Sequence, residues 1–135
     1  MTGLISTSDL KGPYRVMIVD SDPLQRMALA ALISRIDGFI VIKSTGDFKV
    51  ALELCCRDLP DLVFIDIVIP WLSGLDLASE ILSTCRGVSV YVMSNHDYGE
   101  VVNHILELNI TGFISKPIDP EELTPILLGH KRTHS

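Results

Sequence analysis

Four polar side chains each follow a short apolar run, at the place where a buried strand would end. Asp20 follows VMIV, Asp66 follows LVFI, Ser94 follows VYVM, and Lys116 follows GFIS. The carboxyl ends of parallel strands share one edge of a sheet, so these four groups are predicted to converge there. Two close carboxylates favour a cation between them, and Mg²⁺ is the natural cation for oxygen donors. A carboxylate nucleophile with a hard metal, a hydroxyl and an ammonium predicts a phosphoryl-acceptor site that forms an aspartyl phosphate.

The elements that must position these groups alternate along the chain. Five short runs rich in Val and Ile suit strands that are covered on both faces. Between them apolar residues recur with helical spacing, as at Leu24, Met27, Ala28 and Ala31 in the first such segment. This order predicts an α/β fold with a doubly wound, five-stranded parallel sheet and helices on both faces. The predicted strands are Arg15–Val19, Phe39–Ser44, Leu62–Asp66, Val88–Ser94 and Gly112–Ser115.

Length and composition narrow the class of protein. The 135 residues fit one domain, predicted at 13–129, with a flexible N-terminal tail at 1–12 and a C-terminal tail or linker start at 130–135. A net charge of −6 argues against nucleic acid binding, which rests on Lys and Arg. No apolar run reaches the roughly 20 residues that cross a bilayer, and the N-terminus lacks a signal-peptide pattern. We therefore expect a cytoplasmic protein that does not enter a membrane.

Four stretches carry a resemblance to a known family: IVDSDP, DLVFIDIVIPWLSGLD, VYVMSN and GFISKPI, in this order. Together they make the chain similar to the receiver (CheY-like) domain of two-component response regulators, from Tyr14 to Leu128. The resemblance includes the family's run of Asp66, Pro70 and Gly74. It implies a flavodoxin-like (βα)5 sheet with strand order 2-1-3-4-5.

The resemblance also implies roles for single residues. Asp66 corresponds to the phosphoacceptor, and Lys116, ahead of a cis peptide at Pro117, corresponds to the phosphate-binding lysine. Ser94 corresponds to the switch hydroxyl and Phe113 to the aromatic switch residue. Without the resemblance, the residue pattern favours Phe113 as simply a strand aromatic that packs on a helix.

The metal site is where the sequence departs from the family. The implied ligands are Asp20, Asp66 and the backbone carbonyl of Val68, but Ser21 stands where a second acidic residue is usual. A neutral hydroxyl is a weaker Mg²⁺ ligand, so poorer metal affinity is expected unless Ser21 or Asp22 acts through water. Asp22 before Pro23 is instead favoured as the N-cap of the first helix.

The predicted function is that of a receiver domain. It accepts a phosphoryl group on Asp66 from a histidine kinase or histidine phosphotransfer protein with Mg²⁺, and then changes its helix 4–strand 5–helix 5 face to control an output domain or effector protein. Only self-phosphorylation and self-dephosphorylation are expected of it, so it is not a classical enzyme. One alternative is a degenerate receiver that signals by binding alone, because Ser21 and Asn95 depart from the family. A remote alternative is a haloacid-dehalogenase-type phosphatase that uses Asp20 and Asp22.

Two helices have unusual sequences. The fourth, predicted at Gly99–Asn109, carries more apolar residues than one sheet face can bury. The excess is either a patch for a homodimer or an output protein, or a sign of deeper burial. In the last helix Pro125 removes a helical hydrogen bond unless Thr124 restarts the helix as its cap, so a short or kinked helix is predicted.

The histidines and cysteines suggest no metal site. The histidines, at 96, 104, 130 and 134, show no ligand spacing and are expected on the surface. Cys55, Cys56 and Cys85 form no CxxC pattern and are expected to be reduced and partly buried.

Overall fold

A computed structural model of the chain describes residues 12–67, 72–96 and 98–134. Its five strands form one parallel sheet in the order β2-β1-β3-β4-β5, which confirms the predicted fold and strand order. The strands are β1 Tyr14–Val19, β2 Phe39–Thr45, β3 Leu62–Ile67, β4 Ser89–Ser94 and β5 Gly112–Ser115. The helices are α1 Pro23–Ser34, α2 Phe48–Asp58, α3 Leu72–Thr84, α4 Tyr98–Ile105 and α5 Pro120–His134.

Helices cover both faces of the sheet and divide the core into two layers. Leu29 and Ile33 of α1 and Leu123 of α5 pack on one face. Helices α2, α3 and α4 pack on the other, where Ile81 and Val101 are fully buried. The central strands β3 and β4 are buried along their whole lengths because both faces are covered, which explains their continuous apolar sequences.

The face of the first helix that packs on the sheet is not formed by the residues whose spacing predicts the helix. Leu29 and Ile33 are buried, whereas Leu24 and Met27 are 75% and 68% exposed. The segment is apolar on more than one side, so its spacing alone does not determine which side packs on the sheet. The connection from β1 and the N-cap at Asp22 set the rotation of the helix.

The last helix is longer than predicted. Helix α5 runs through Pro125 and has 15 residues, and its N-terminal cap is Asp119, whose carboxylate accepts from the Glu121 N–H at 2.9 Å. Of the predicted short or kinked helix, the shortening is therefore wrong, because the helix runs through Pro125 without a restart at Thr124. Packing outweighs the lost hydrogen bond, because Leu123, Leu127 and His130 all lie buried on one side of the helix.

The same helix overturns a smaller prediction, because His130, predicted at the surface, is only 4% exposed. Residues 130–134, predicted as a C-terminal tail or the start of a linker, continue α5. His96 is half-buried, while His134 is exposed as predicted. Residues 1–11 and Ser135 lie outside the described residues.

Helix α4 ends at Ile105, four residues before the predicted end at Asn109. Val101 and Ile105 are buried, and the excess apolar surface falls on Leu106, which is 67% exposed. All three cysteines are free thiols, as predicted. Within the residues that the structure describes, no helix is long and apolar enough to cross a bilayer.

Candidate receiver site

Two buried carboxylates lie at the carboxyl edge of the sheet. Asp20 directly follows β1, and Asp66 is the next-to-last residue of β3, the neighbouring strand. Each residue is only 2% exposed, because apolar strand residues and the covering helices surround it. A buried carboxylate is costly unless it is paired, so this position requires a cation or several hydrogen-bond donors.

Lys116 supplies that cation to both carboxylates. Its ammonium group lies 2.8 Å from Asp20 Oδ2 and 2.8 Å from Asp66 Oδ1, and all three side chains are almost completely buried. One positive charge thus faces two negative charges. The cluster keeps one unit of excess negative charge in a site with little access to water.

Burial and the neighbouring charges shift the pKa values of Asp66 and Lys116. Burial raises the pKa of the Asp66 carboxyl, and the nearby Asp20 acts in the same direction, although the hydrogen bond from Lys116 opposes both. Burial acts to lower the pKa of Lys116, but its hydrogen bonds to Asp20 and Asp66 outweigh that effect and the pKa is raised. The lysine is therefore firmly protonated, whereas Asp66 is poorly stabilised as an anion.

Backbone contacts hold Asp20 in place. Its Oδ1 accepts from the Asp22 N–H at 2.9 Å, and its carbonyl oxygen accepts from the Arg26 guanidinium. Asp22 Oδ1 in turn accepts from the Leu24 N–H at 2.9 Å, which confirms the predicted N-cap of α1. Ser21 is exposed.

Ser94 and Lys116 are joined through the backbone at the same edge. Ser94 ends β4 opposite Ile67, is fully buried, and accepts from the His96 N–H through its hydroxyl oxygen at 3.0 Å. The Lys116 N–H donates to the Ser94 carbonyl at 2.8 Å, so the end of β5 is tied to the end of β4. The Lys116–Pro117 peptide bond is cis, as the resemblance implies.

Phe113 lies on β5 between two surface hollows. One hollow is bounded by Leu106 and Ile110 after α4, and the other by Ile126 and His130 of α5. The ring is half-buried against the α2–α3–α4 layer of the core. Two neighbouring hollows give an aromatic side chain room to change its orientation.

Gly74 lets α3 approach the back of Asp66. A Cβ atom at Gly74 would lie 2.5 Å from the Asp66 carbonyl oxygen, closer than real contacts allow. The first turn of α3 therefore packs directly on the backbone of the proposed nucleophile. A side chain here would push the helix away or shift the end of β3.

The described part of the chain contains no cluster of three or more His, Cys, Asp or Glu side chains placed to hold a metal ion. Asp20 and Asp66 contribute two carboxylates, and Asp22 is used as a cap. Val68, the third ligand implied by the resemblance, lies outside the described residues, as do Pro70 and Trp71.

A family model matches most of the chain. The profile described as "Response regulator receiver domain" matches residues 16–128. The chain belongs to the response regulator receiver family. Receiver domains act in two-component systems with histidine kinases and output domains, and they generally bind Mg²⁺ at their acidic site. This family membership makes the chain a signalling domain rather than a classical enzyme.

Individual relatives agree with this assignment. The transcriptional regulatory protein PdtaR of Mycobacterium tuberculosis is 32% identical over 127 residues, which cover 94% of this chain and 61% of that protein. The positive alginate biosynthesis regulatory protein of Pseudomonas aeruginosa is 33% identical over 113 residues, 83% of this chain and 45% of the relative. The receiver thus spans about half the length of such curated relatives.

A solved receiver has the same fold. The signal receiver domain of the putative response regulator NarL from Mycobacterium tuberculosis superposes with a TM-score of 0.79 at 26% identity. The match covers 90% of this chain and 98% of that one.

Three features of the site did not emerge from sequence reasoning. Lys116 bridges both carboxylates, Arg26 holds the Asp20 carbonyl, and Gly74 abuts the Asp66 backbone. The signal for Gly74 was present, since a glycine in the first turn of an otherwise good helix indicates close packing. No comparable feature of the sequence indicated the rotation of α1 that brings Arg26 to Asp20.

Proposed function

We propose that this receiver accepts a phosphoryl group on Asp66 from a phosphohistidine protein and uses Lys116 and Ser94 to read its presence. The main support for this proposal is that Lys116 bridges Asp66 and Asp20 in a buried cluster with one excess negative charge. Such an arrangement is poor as a structural ion pair, but its excess negative charge favours a divalent cation, which together with Lys116 would neutralise the oxygens of an incoming phosphoryl group.

Phosphoryl transfer follows from these groups. A carboxylate oxygen of Asp66 attacks phosphorus in line while the bond from phosphorus to the donor nitrogen breaks, and the electron pair leaves with the imidazole. Lys116 neutralises a phosphoryl oxygen without moving far, because it already contacts Asp66 at 2.8 Å. The Ser94 hydroxyl oxygen accepts from the His96 N–H, and its own hydrogen can be donated to another phosphoryl oxygen.

The residues present fit Mg²⁺. Two buried carboxylates with excess negative charge are hard oxygen donors, and Mg²⁺ is commonly held by one or two carboxylates together with water and phosphate oxygens. Asp20 and Asp66 would hold it, with the Val68 carbonyl and with Ser21 or Asp22 through water as further ligands. Bound there, the ion neutralises charge on the transferred group. Because Ser21 is uncharged, the affinity for Mg²⁺ is expected to be lower than it would be with acidic residues at both positions 20 and 21.

The signal would leave the site through β5. Phosphorylation adds about 1.5 to 2 negative charges beside Lys116 and Ser94. Lys116 directly follows β5, so even a small shift of its ammonium group toward the phosphate would displace the end of that strand, and Phe113 would turn in response. The α4–β5–α5 face would then present a different surface to an output domain or to a second copy of the chain.

The exposed side of α1 supports docking of the phosphodonor. Helix α1 begins three residues after Asp20, and its exposed Leu24 and Met27 make an apolar surface beside the site. A groove lined by Leu29, Asn95 and Ile118 continues this surface. A donor protein must reach Asp66 across this edge, so an apolar contact there would position the phosphohistidine.

The proposal is tested with Trp71, the only tryptophan and five residues after Asp66 in sequence. Its fluorescence is followed while Mg²⁺ is titrated and beryllofluoride, whose adduct on aspartate mimics the acyl phosphate, is then added. A saturable Mg²⁺ response followed by a second change is expected. The second change is expected to be absent in Asp66→Asn and present in Asp37→Asn, an exposed control.

Labelling with a small phosphodonor gives an independent readout. Borohydride reduces an aspartyl phosphate to homoserine and releases the phosphate, so peptide mapping after this treatment is expected to find homoserine at position 66. A flat Mg²⁺ titration together with absent labelling would reject phosphotransfer and favour a receiver that signals by binding alone. Turnover of a phosphate ester that is lost in Asp20→Asn but kept in Asp66→Asn would instead favour the phosphatase chemistry.

A further inference from the structure

Two histidines of α5 stack on each other beside a hollow at the edge of the sheet. His130 and His134 are four residues apart, and because α5 contains both, they lie on the same side of one helix. Their ring centroids are 3.9 Å apart, and the ring planes differ by 12°. The spacing acquires a fixed geometry only because the helix continues past residue 130. In a helix, histidines at i and i+4 can bind one metal ion together.

Hydrogen bonds at Nδ1 orient both rings. The His134 Nδ1–H donates to the His130 carbonyl oxygen at 2.9 Å, so the neutral His134 ring carries its lone pair on Nε2. The His130 Nδ1 lies 3.0 Å from the hydroxyl oxygen of Tyr91, a buried residue of β4. A histidine that binds a metal through one ring nitrogen commonly donates the other N–H to an oxygen acceptor, which sets its tautomer. An ion bound at the two Nε2 atoms would leave both of these Nδ1 contacts intact.

The hollow beside these rings has room for an ion and its water ligands. Its volume is about 360 Å³, and Tyr91, Thr111 and Thr133 line it together with the two histidines. None of the described residues that line it is a lysine or an arginine, so no fixed positive charge repels a cation there. His130 is buried and His134 is exposed, so the core holds one imidazole in place while solvent reaches the other.

We propose that His130 and His134 together bind one divalent ion of the late first transition row, such as Zn²⁺, through their Nε2 atoms, with water as the further ligands. Imidazole suits Zn²⁺, Ni²⁺ and Cu²⁺, whereas Mg²⁺ prefers oxygen. Two nitrogens that bind one Zn²⁺ tetrahedrally at about 2.0–2.1 Å are about 3.4 Å apart, and rings stacked at 3.9 Å are close enough to reach that spacing. Two protein ligands make an open site that exchanges its ion with solvent.

This site is separate from the acidic cluster. Tyr91 lies three residues before Ser94 on β4, so the two sites are about 10 Å apart along that strand. One site offers carboxylate oxygens and the other imidazole nitrogens, so the two prefer different ions. Phe113 lines the same hollow as the histidines. A bound ion would therefore occupy space beside the aromatic ring of the proposed switch, although its binding does not depend on that switch.

Isothermal titration calorimetry with Zn²⁺ tests the proposal on the full chain, prepared without a histidine tag and kept in a large excess of Mg²⁺ that occupies the acidic site. One Zn²⁺ per chain is expected. The affinity for Zn²⁺ is expected to fall at least about tenfold in His134→Ala, since a ligand should matter at least as much as the groups that orient ligands. The matched control His104→Ala removes a histidine from α4 instead and is expected to change the affinity by less than about twofold.

Tyr91→Phe keeps both histidines but removes the hydroxyl that contacts His130 Nδ1. Zn²⁺ binding is expected to weaken by about tenfold, because the imidazole loses the group that orients it. Two histidines that bound zinc simply because they are near the surface would not respond to this buried substitution. Circular dichroism and thermal unfolding without metal check that each variant folds like the parent.

Electron paramagnetic resonance with one equivalent of Cu²⁺ counts the nitrogen ligands directly. Two imidazole nitrogens are expected in the parent and one in His134→Ala, and sedimentation is expected to show that the metal-bound chain remains a monomer. Unchanged Zn²⁺ affinity in His134→Ala, a single nitrogen in the parent spectrum, or zinc bound only between two chains would each overturn the proposal. None of these measurements involves phosphorylation, so failure of this proposal and failure of the proposed function are distinguishable.

Discussion

At the scale of single residues, Asp66 is a carboxylate that the fold holds in an unfavourable state. Burial raises its pKa, and one lysine is shared between it and Asp20. A raised folded-state pKa means that the folded chain binds more protons than the unfolded chain between the two pKa values. Stability contributed by protonated Asp66 is therefore lost as the pH rises through that window, and the ionised form remains a cost at neutral pH.

Asp66→Asn is accordingly expected to raise the free energy of unfolding near neutral pH. Lys116 keeps Asp20 as its partner, so the substitution removes the excess charge without leaving a cation alone. The gain is expected to shrink as the pH falls through the raised pKa of Asp66, because the parent carboxyl then becomes protonated as well. Urea unfolding of both proteins at about pH 7 and about pH 4 measures the difference.

The exposed Asp37 supplies the control, and Asp37→Asn is expected to change stability by less than about 0.5 kcal/mol at either pH. If Asp66→Asn is less stable than the parent near neutral pH, the ion pair with Lys116 outweighs burial. The account of Asp66 as a poorly stabilised anion would then be wrong.

The location of the site residues could be predicted from sequence, but their contacts could not. A polar residue at the end of a buried apolar strand is costly anywhere except at the sheet edge, so Asp20 and Asp66 were identified from their neighbours. Which carboxylate Lys116 would pair with depends on the exact stagger of β1, β3 and β5. No feature of the sequence encodes that stagger.

At the scale of elements, two helical glycines are predicted to respond in opposite ways to a methyl group. In Gly74→Ala the new Cβ would lie 2.5 Å from the Asp66 carbonyl, so α3 must move and stability is expected to fall by about 1–3 kcal/mol. In Gly129→Ala the nearest atom, from Arg132, is 3.9 Å away, and better helix propensity is expected to add about 0.5–1 kcal/mol. Denaturant unfolding of the matched pair tests both signs. Equal effects would show that the packing of α3 on β3 does not require a glycine.

The two prolines of α5 offer a second matched pair. Pro125 lies inside the helix and is exposed, so Pro125→Ala restores a backbone hydrogen bond and is expected to add about 2 kcal/mol. Pro120 is the first residue of the helix, where proline is well tolerated, and Pro120→Ala is expected to change little. Thermal unfolding distinguishes them. An unchanged or lower stability of Pro125→Ala would mean that the helix has adapted to the proline.

The length of α5 could not be predicted from its local sequence, because it depends on tertiary packing. Pro125 does remove a backbone hydrogen bond from the helix. The helix still continues, because the burial of Leu123, Leu127 and His130 on one side stabilises it by more than that bond. The rotation of α1 was missed for a related reason, because two of its faces are apolar. Periodicity locates helices reliably when only one face is apolar.

At the scale of the whole molecule, the site is built on strands of unequal stability. Asp20 directly follows β1 and Asp66 lies in β3, both interior strands, whereas Lys116 follows β5, a four-residue strand at the edge of the sheet. All six residues of β3 are buried, but only one residue of β5 is. The carboxylates are thus fixed in the most stable part of the domain, while the lysine sits on a part that can move at little cost.

Amide hydrogen exchange tests this division. Without ligand, β3 amides are expected to exchange only through global unfolding, and amides of both edge strands, β2 and β5, much faster. With Mg²⁺ and beryllofluoride, protection is expected to rise at β5, because Lys116 is drawn onto the modified Asp66. Strand β2 carries no proposed site residue and is the internal control, and Asp66→Asn should abolish the change. A uniform rise in protection, or a rise as large in β2, would mean that the ligand stabilises the whole domain rather than ordering the strand proposed to carry the signal.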